Sequence, residues 1–168
     1  MDPRETGVSV ADLRAQFELA LRTRDRLNEI HQAIRTIRTT RNQLDQALDP
    51  LESVQMDETV ADSVRTVADQ IKTDLTEIED MLIQTENESP QDPINYPPQL
   101  DNQWAYLYTH INGAYARPSD GTYKRFADLV DETDPILDRL QSLLSQEVGS
   151  LNDWLFEQEI PYIRLSFE

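Results

Sequence analysis

The two histidines are the first residues to test for chemistry, because the chain contains no cysteine. Helical bundles that bind two metal ions use inward carboxylates and a Glu-x-x-His pair on each of two helices. Here Asn28 stands three residues before His31, and Leu107 stands three residues before His110. Neither Asn28 nor Leu107 supplies the carboxylate of such a pair. Both histidines are therefore interpreted as structural, and we expect no metal and no cofactor.

Acidic residues at three-residue spacing, such as Glu77 with Asp80, share a helix face and could suggest glycosidase chemistry. Glycosidases place two carboxylates across a cleft, about 5–10 Å apart, and burial raises the pKa of one. The acidic residues of this chain, these pairs included, are instead predicted on polar, solvated helix faces. The chain also has no P-loop, dinucleotide-binding or nucleophile-elbow motif. We expect no catalytic site, and a hydrolase is kept only as a third hypothesis.

The charge of the chain excludes two classes of partner. Asp and Glu number 32 against 15 Lys and Arg, which gives a net charge of −17 that repels nucleic acid and anionic membranes. No apolar run approaches the ~20 residues of a membrane span. Asp outnumbers Glu, and only Lys72 and Lys124 are lysines. This composition is typical of a protein adapted to high salt, although an acidic protein from a GC-rich genome would share it.

Apolar residues recur at helical spacing in four blocks and predict an all-α fold. Since no helix can bury its apolar stripe alone, we expect one domain, residues 1–168, that forms an antiparallel four-helix bundle with a short third helix. A proline-rich crossing loop separates the second and third helices. In chain order, the predicted helices and this loop cover residues 9–48, 57–86, 87–99 (the loop), 100–116 and 119–157.

Local signals mark the ends of these helices. Ser9 is the expected N-cap of the first helix, and Ser119 or Asp120 is the expected N-cap of the fourth. Pro135 lies inside the apolar pattern of the fourth helix, where we expect a kink. The periodicity also assigns many apolar side chains to buried stripes, among them Val10, Phe17, Val60, Val67, Trp104 and Tyr115.

Aromatic residues outside the stripes are the candidates for an interaction surface. Tyr106 and Tyr108 fall off the apolar face of the third helix, next to the loop that carries Tyr96. Bulky rings on a rigid helix are frequent anchors of protein interfaces. Trp154 and Tyr162 near the C-terminus form a second candidate surface. These five residues are the predicted interface positions, and Tyr106 with Tyr108 is preferred.

Several short motifs resemble one known family. They are residues 94–97 (INYP), 100–102 (LDN) and 116–120 (ARPSD), with residues 16–19 and 24–27 upstream. Together they resemble the C-terminal helical domain that follows a sortilin-type β-propeller in large bacterial proteins, often labelled BNR-repeat or glycosyl-hydrolase-like. The resemblance covers most of the chain, and its motifs are structural. It implies that any hydrolase activity belongs to the propeller.

The expected function is that of a non-catalytic helical accessory domain. Following the resemblance, its partner would be the upstream β-propeller domain of the parent chain or another protein. The alternative is a free-standing bundle that self-associates or acts as an adaptor. The two hypotheses differ in whether Met1 is the native start. The first residues lack a signal peptide, so a secreted or periplasmic parent would carry its leader elsewhere. We expect a monomer or weak homodimer.

The acidic composition predicts that salt stabilises the fold. Repulsion among carboxylates weakens as the Debye length falls from ~10 Å at 0.1 M salt to ~3 Å at 1 M. The melting temperature should therefore rise by several degrees over this range of sodium chloride, as followed by circular dichroism. A flat or falling curve would contradict adaptation to high salt.

Overall fold

The computed structural model describes residues 7–49, 58–86 and 95–157 together with Ile163. Over these residues every regular element is helical, which confirms the predicted all-α helical bundle. In chain order the elements are α1 (Val10–Leu48), α2 (Glu58–Leu82), α3 (Leu100–Asn112), α4 (Asp120–Ser142), a π-helical segment (Leu143–Val148) and α5 (Gly149–Glu157).

The N-terminal ends of α1 and α4 are capped by the predicted serines. The Ser9 hydroxyl oxygen accepts a hydrogen bond from the Asp12 N–H at 3.1 Å, and the Asp12 carboxylate accepts one from the Ser9 N–H at 3.0 Å. This reciprocal pair is a capping box, with Asp in the place of the usual Glu. In α4 the Ser119 hydroxyl oxygen accepts from the Thr122 N–H at 3.2 Å. Ser119 is therefore the cap of α4.

Helix α2 ends at Leu82 and helix α3 ends at Asn112. Both ends come earlier than the predicted ends, which were residues 86 and 116. After α2, the Gln84 side chain accepts from the Glu86 N–H at 3.0 Å, which gives that N–H a local partner other than a helical carbonyl. After α3, the Gly113 N–H donates to the His110 carbonyl at 3.2 Å, a tightened last turn.

The chain divides into two compact units. Unit 1 combines Met1–His31 with Leu82–Asp134, and unit 2 combines Gln32–Met81 with Pro135–Glu168. Helices α1 and α4 thus each contribute residues to both units. The prediction of a single domain stays a prediction.

Trp104 is the centre of the core of unit 1. Its side chain is fully buried, as predicted, and its ring meets the Phe126 ring edge to face at a centroid distance of 5.2 Å. The indole N–H donates to the Thr133 hydroxyl at 3.0 Å, and that hydroxyl donates to the Leu129 carbonyl at 2.7 Å. The Arg22 guanidinium of α1 lies 4.4 Å from the centroid of the opposing Phe126 ring. Trp104 and Phe126 therefore join α3 and α4, and Arg22 adds α1.

Glu79 is the central polar residue of unit 2. Only 2% of Glu79 is exposed, and its carboxylate accepts a 2.5 Å hydrogen bond from Arg38 and a second bond from Arg41. Nearby, Lys72 forms an ion pair with Asp45 at 3.0 Å. Arg38 of α1 pairs with Glu79 of α2, whereas the later α1 residue Asp45 pairs with the earlier α2 residue Lys72. The two helices are therefore antiparallel within unit 2. Glu79 also corrects the expectation that the acidic residues lie on polar, solvated faces.

Several apolar residues assigned to buried stripes are exposed, so that assignment is wrong for them. Tyr115 lies beyond the end of α3 and no longer follows the stripe of that helix. On α1 the buried face near the start of the helix is formed by Gln16, Leu19 and Ala20, so Phe17 points outward. On α2, the smaller Ala61 and Ala68 are buried next to Val60 and Val67. The exposed residues are Val10, Phe17, Val60, Val67 and Tyr115.

Helix α4 continues through Pro135. The departure from α-helical geometry comes later, in the π-helical segment that begins at Leu143. Since α5 follows at Gly149, residues 120–157 form one continuous helical run, close to the predicted fourth helix. The predicted kink at Pro135 stays a prediction.

The ion pairs of the buried Glu79 predict a difference in stability effect between two nearby glutamates. Glu79→Gln should lower the free energy of unfolding by about 1–3 kcal/mol, because hydrogen bonds to a buried charge are lost. Glu77, which is half exposed and pairs with Arg139, is the matched control. Glu77→Gln should change stability by less than about 0.5 kcal/mol. Equal effects in urea denaturation would show that the Glu79 cluster is not a stabilising element.

Candidate functional site

A cavity of about 670 Å³ lies between α3 and the start of α4 in unit 1. Pro98, Tyr106 and Leu107 supply its apolar wall, with Leu107 also reaching the core. Helix α3 presents Tyr106 and Leu107 together because Leu107 and the buried Trp104 fix the rotation of the helix. Tyr106 then points away from the core, and 77% of it is exposed. A cavity of this size is in the range that binds ligands or partner side chains.

The polar wall of this cavity is centred on Arg125. One of its N–H groups donates to the Gln103 side-chain oxygen, and another donates to Glu132 at 3.2 Å. His110 and Asn102 also line the cavity, and within the described residues the side chain of neither forms a hydrogen bond, although the Asn102 N–H donates to Asp101. The cavity therefore combines an aromatic ring with several available hydrogen-bond donors.

The structure describes four of the five predicted interface residues. Tyr106 lies in the cavity, and Tyr108 on the same helix is exposed to 37%. Tyr96 precedes α3 and is half buried, and Trp154 lies in unit 2. Tyr162 lies outside the described residues. Of the four that are described, only Tyr106 lines the cavity in unit 1.

Trp154 lines a second groove, entirely within unit 2 and with a volume of about 680 Å³. Helix α2 contributes Val60, Val64 and Val67 at helical spacing, and α5 contributes Leu151 beside Trp154. Val60 and Val67, whose exposure the periodicity did not predict, line this groove. It is an apolar surface with polar residues at its edges.

Asp101 in the first turn of α3 is a buried carboxyl group that the sequence did not reveal. Burial raises the pKa of this group above its ordinary value of 3.8, and the hydrogen bond from the Asn102 N–H and the nearby charge of His31 oppose the shift. His31, interpreted as structural, thus lies close enough to act on Asp101. His110 is exposed at the cavity. The expectation of solvated acidic residues is wrong for Asp101 as it is for Glu79.

Arg125 and Gln103 are cavity residues that the sequence analysis missed. Neither belongs to a recognisable motif, and their contact joins two different helices. Only the register of α3 against α4, which depends on Trp104, brings them together.

Within the described ranges there is no group of three or more His, Asp and Glu residues that could hold a metal ion. The helices in these ranges are also too short or too polar to cross a membrane. No protein-family model, curated protein or solved structure matches this chain. The resemblance to the helical domain of propeller proteins therefore stays a prediction.

The raised pKa of Asp101 predicts a pH-dependent effect of Asp101→Asn. Above the folded-state pKa, the buried carboxylate is charged and destabilises the folded protein relative to the unfolded chain. As the pH falls through this pKa towards the ordinary value of 3.8, the folded state takes up the proton first and the penalty disappears. Asp101→Asn should therefore raise the melting temperature at pH 7 and have little effect at pH 3.

Asp120 in the first turn of α4 is the control for this experiment, because it is exposed at a similar helix position. Asp120→Asn should not raise the melting temperature at pH 7, since it removes a negative charge near a helix N-terminus without relieving burial. The same gain from both substitutions would show that general charge repulsion, and not burial of Asp101, causes the effect.

Proposed function

We propose that this chain is a non-catalytic helical accessory domain that binds a protein partner through α3, with Tyr106 as the anchor. The partner is the upstream β-propeller domain of a longer parent chain, as the resemblance of residues 94–97, 100–102 and 116–120 implies. The observation that supports the proposal is the exposed Tyr106 ring beside a cavity on a helix whose other face is buried.

The contacts that hold α3 in place favour its exposed surface for binding. Leu100, Trp104 and Leu107 hold the helix in the core of unit 1. At its end, the Gln16 side chain of α1 donates to the carbonyl of Ile111 at 2.6 Å and to that of Ala114. A ring presented by such a fixed helix loses little conformational freedom on binding, which is a property of interface anchors.

The second candidate is a free-standing bundle that self-associates or acts as an adaptor. The groove between α2 and α5 in unit 2 favours it, because this groove also leaves apolar surface exposed. The net charge of −17 opposes association of identical copies at low salt. Sedimentation at rising sodium chloride distinguishes the candidates: a stable dimer that Val67→Glu abolishes would favour self-association.

The proposed function predicts a loss of partner binding without a loss of stability. The polypeptide encoded immediately upstream in the gene is produced separately, and its affinity for this chain is measured by calorimetry. Tyr106→Ala should weaken binding by about tenfold or more, as expected for an aromatic anchor. Tyr108→Ala should have a smaller effect. The free energy of unfolding of both variants should lie within about 0.5 kcal/mol of that of the unsubstituted chain, because the two rings are exposed.

Tyr115→Ala is the matched control, since Tyr115 is also exposed but lies outside the cavity. It should leave the affinity unchanged. Equal affinities for all variants would refute the α3 surface. An upstream reading frame that encodes no propeller would refute that partner and favour the free-standing adaptor.

A further inference from the structure

The unused hydrogen-bond donors of the α3–α4 cavity indicate what kind of partner segment it binds. We propose that the cavity receives an acidic peptide segment of the partner, with an apolar side chain against Tyr106 and Leu107 and a carboxylate bound by Arg125. This inference rests on the proposed function, because it specifies the partner of the same surface.

Arg125 supplies the main argument. A guanidinium group has five N–H donors. The bonds to Gln103 and Glu132 use two of them, and no other bond joins Arg125 to the described residues. Gln103 also orients the group by accepting one of these bonds. The remaining donors match the planar, two-oxygen geometry of a carboxylate.

The charge of the cavity wall differs from that of the whole chain. Asp and Glu make up 32 of the 168 residues, yet none of the ten lining residues is acidic. His110, which can donate a hydrogen bond, and the cationic Arg125 both lie in the wall. A wall with donors and a cation but no carboxylate is complementary to an anionic group and not to a basic one.

The negative charge of the rest of the protein does not prevent this binding. Charges beyond about 10 Å are largely screened at 0.1 M salt, so the local groups decide. The nearest competitor is Glu132, which is half exposed and reaches Arg125 at 3.2 Å. Such exposed pairs contribute little, and arginine can bind a second carboxylate while it keeps the first.

An extended peptide places alternate side chains on the same face, about 7 Å apart. A phenylalanine and an aspartate two positions apart therefore lie on one face of the peptide, as a segment that contacts both Tyr106 and Arg125 requires. The probe is a pentapeptide with blocked ends, glycyl-phenylalanyl-glycyl-aspartyl-glycine. The control probe has asparagine in the place of aspartate, so the two peptides differ only in the charge.

The test is a titration of the isotope-labelled full chain with each peptide at 0.1 M sodium chloride, followed by nuclear magnetic resonance. The aspartate peptide should shift the amide signals of Tyr106, Leu107 and Thr122. It should bind at least about fivefold more tightly than the asparagine peptide. Arg125→Gln should remove this preference. Lys124→Gln, which makes the same charge change at the preceding, exposed position of α4, should retain it.

Each contrary outcome identifies what is wrong. Equal binding of the two peptides, or no shift at these residues, refutes the acidic segment. Shifts reproduced by sodium phosphate alone at the same concentration also refute it, because the site would then bind any anion. The proposed function is tested separately by Tyr106→Ala against the upstream polypeptide. If the unsubstituted chain shows no preference for the aspartate peptide but Tyr106→Ala weakens upstream binding, only this inference is refuted. If the preference is present but Tyr106→Ala leaves upstream binding unchanged, only the proposed partner is refuted.

Discussion

The burial of Trp104 is the constraint on which the rest of unit 1 depends. A large indole can be buried only when its N–H finds a partner, and here the Thr133 hydroxyl supplies one at 3.0 Å. This requirement sets both the rotation of α3 and its register along α4. The positions of Tyr106 and of the Arg125–Gln103 contact follow from it. The cavity is thus a consequence of core packing, because the packing of Trp104 already positions the helices that carry the side chains of the cavity.

Much of the fold could be predicted because apolar spacing reports directly on helical faces. The burial of Trp104 was predicted for the same reason, and the cap at Ser9 was predicted from the preference of serine for helix N-termini. The pattern was misleading for Phe17, because a long helix in which several faces carry apolar residues does not indicate which face meets a neighbour. Tyr115 was misassigned because the end of α3 depends on Gly113 and on contacts with α1, which periodicity does not contain.

The polar features could not be predicted, since each depends on helices far apart in sequence. Glu79 looks like any other acid of α2 until Arg38 and Arg41 of α1 are placed against it. Asp101 looks like a favourable first-turn acid, and only the packed structure shows its burial. In a chain with so many solvated carboxylates, the exceptional ones are distinguished by their environment and not by their spacing.

The arrangement of the two units has a consequence for the order of folding during synthesis. Unit 1 needs residues as far as Asp134, and unit 2 needs Pro135 and beyond, although α1 contributes residues to both. The bond from Gln16 to the Ile111 carbonyl, for example, spans 95 positions. The first helix must therefore leave the ribosome well before either unit can close, and such non-local contacts slow folding. Unit 1 has all its residues first, and the C-terminal helices then complete unit 2.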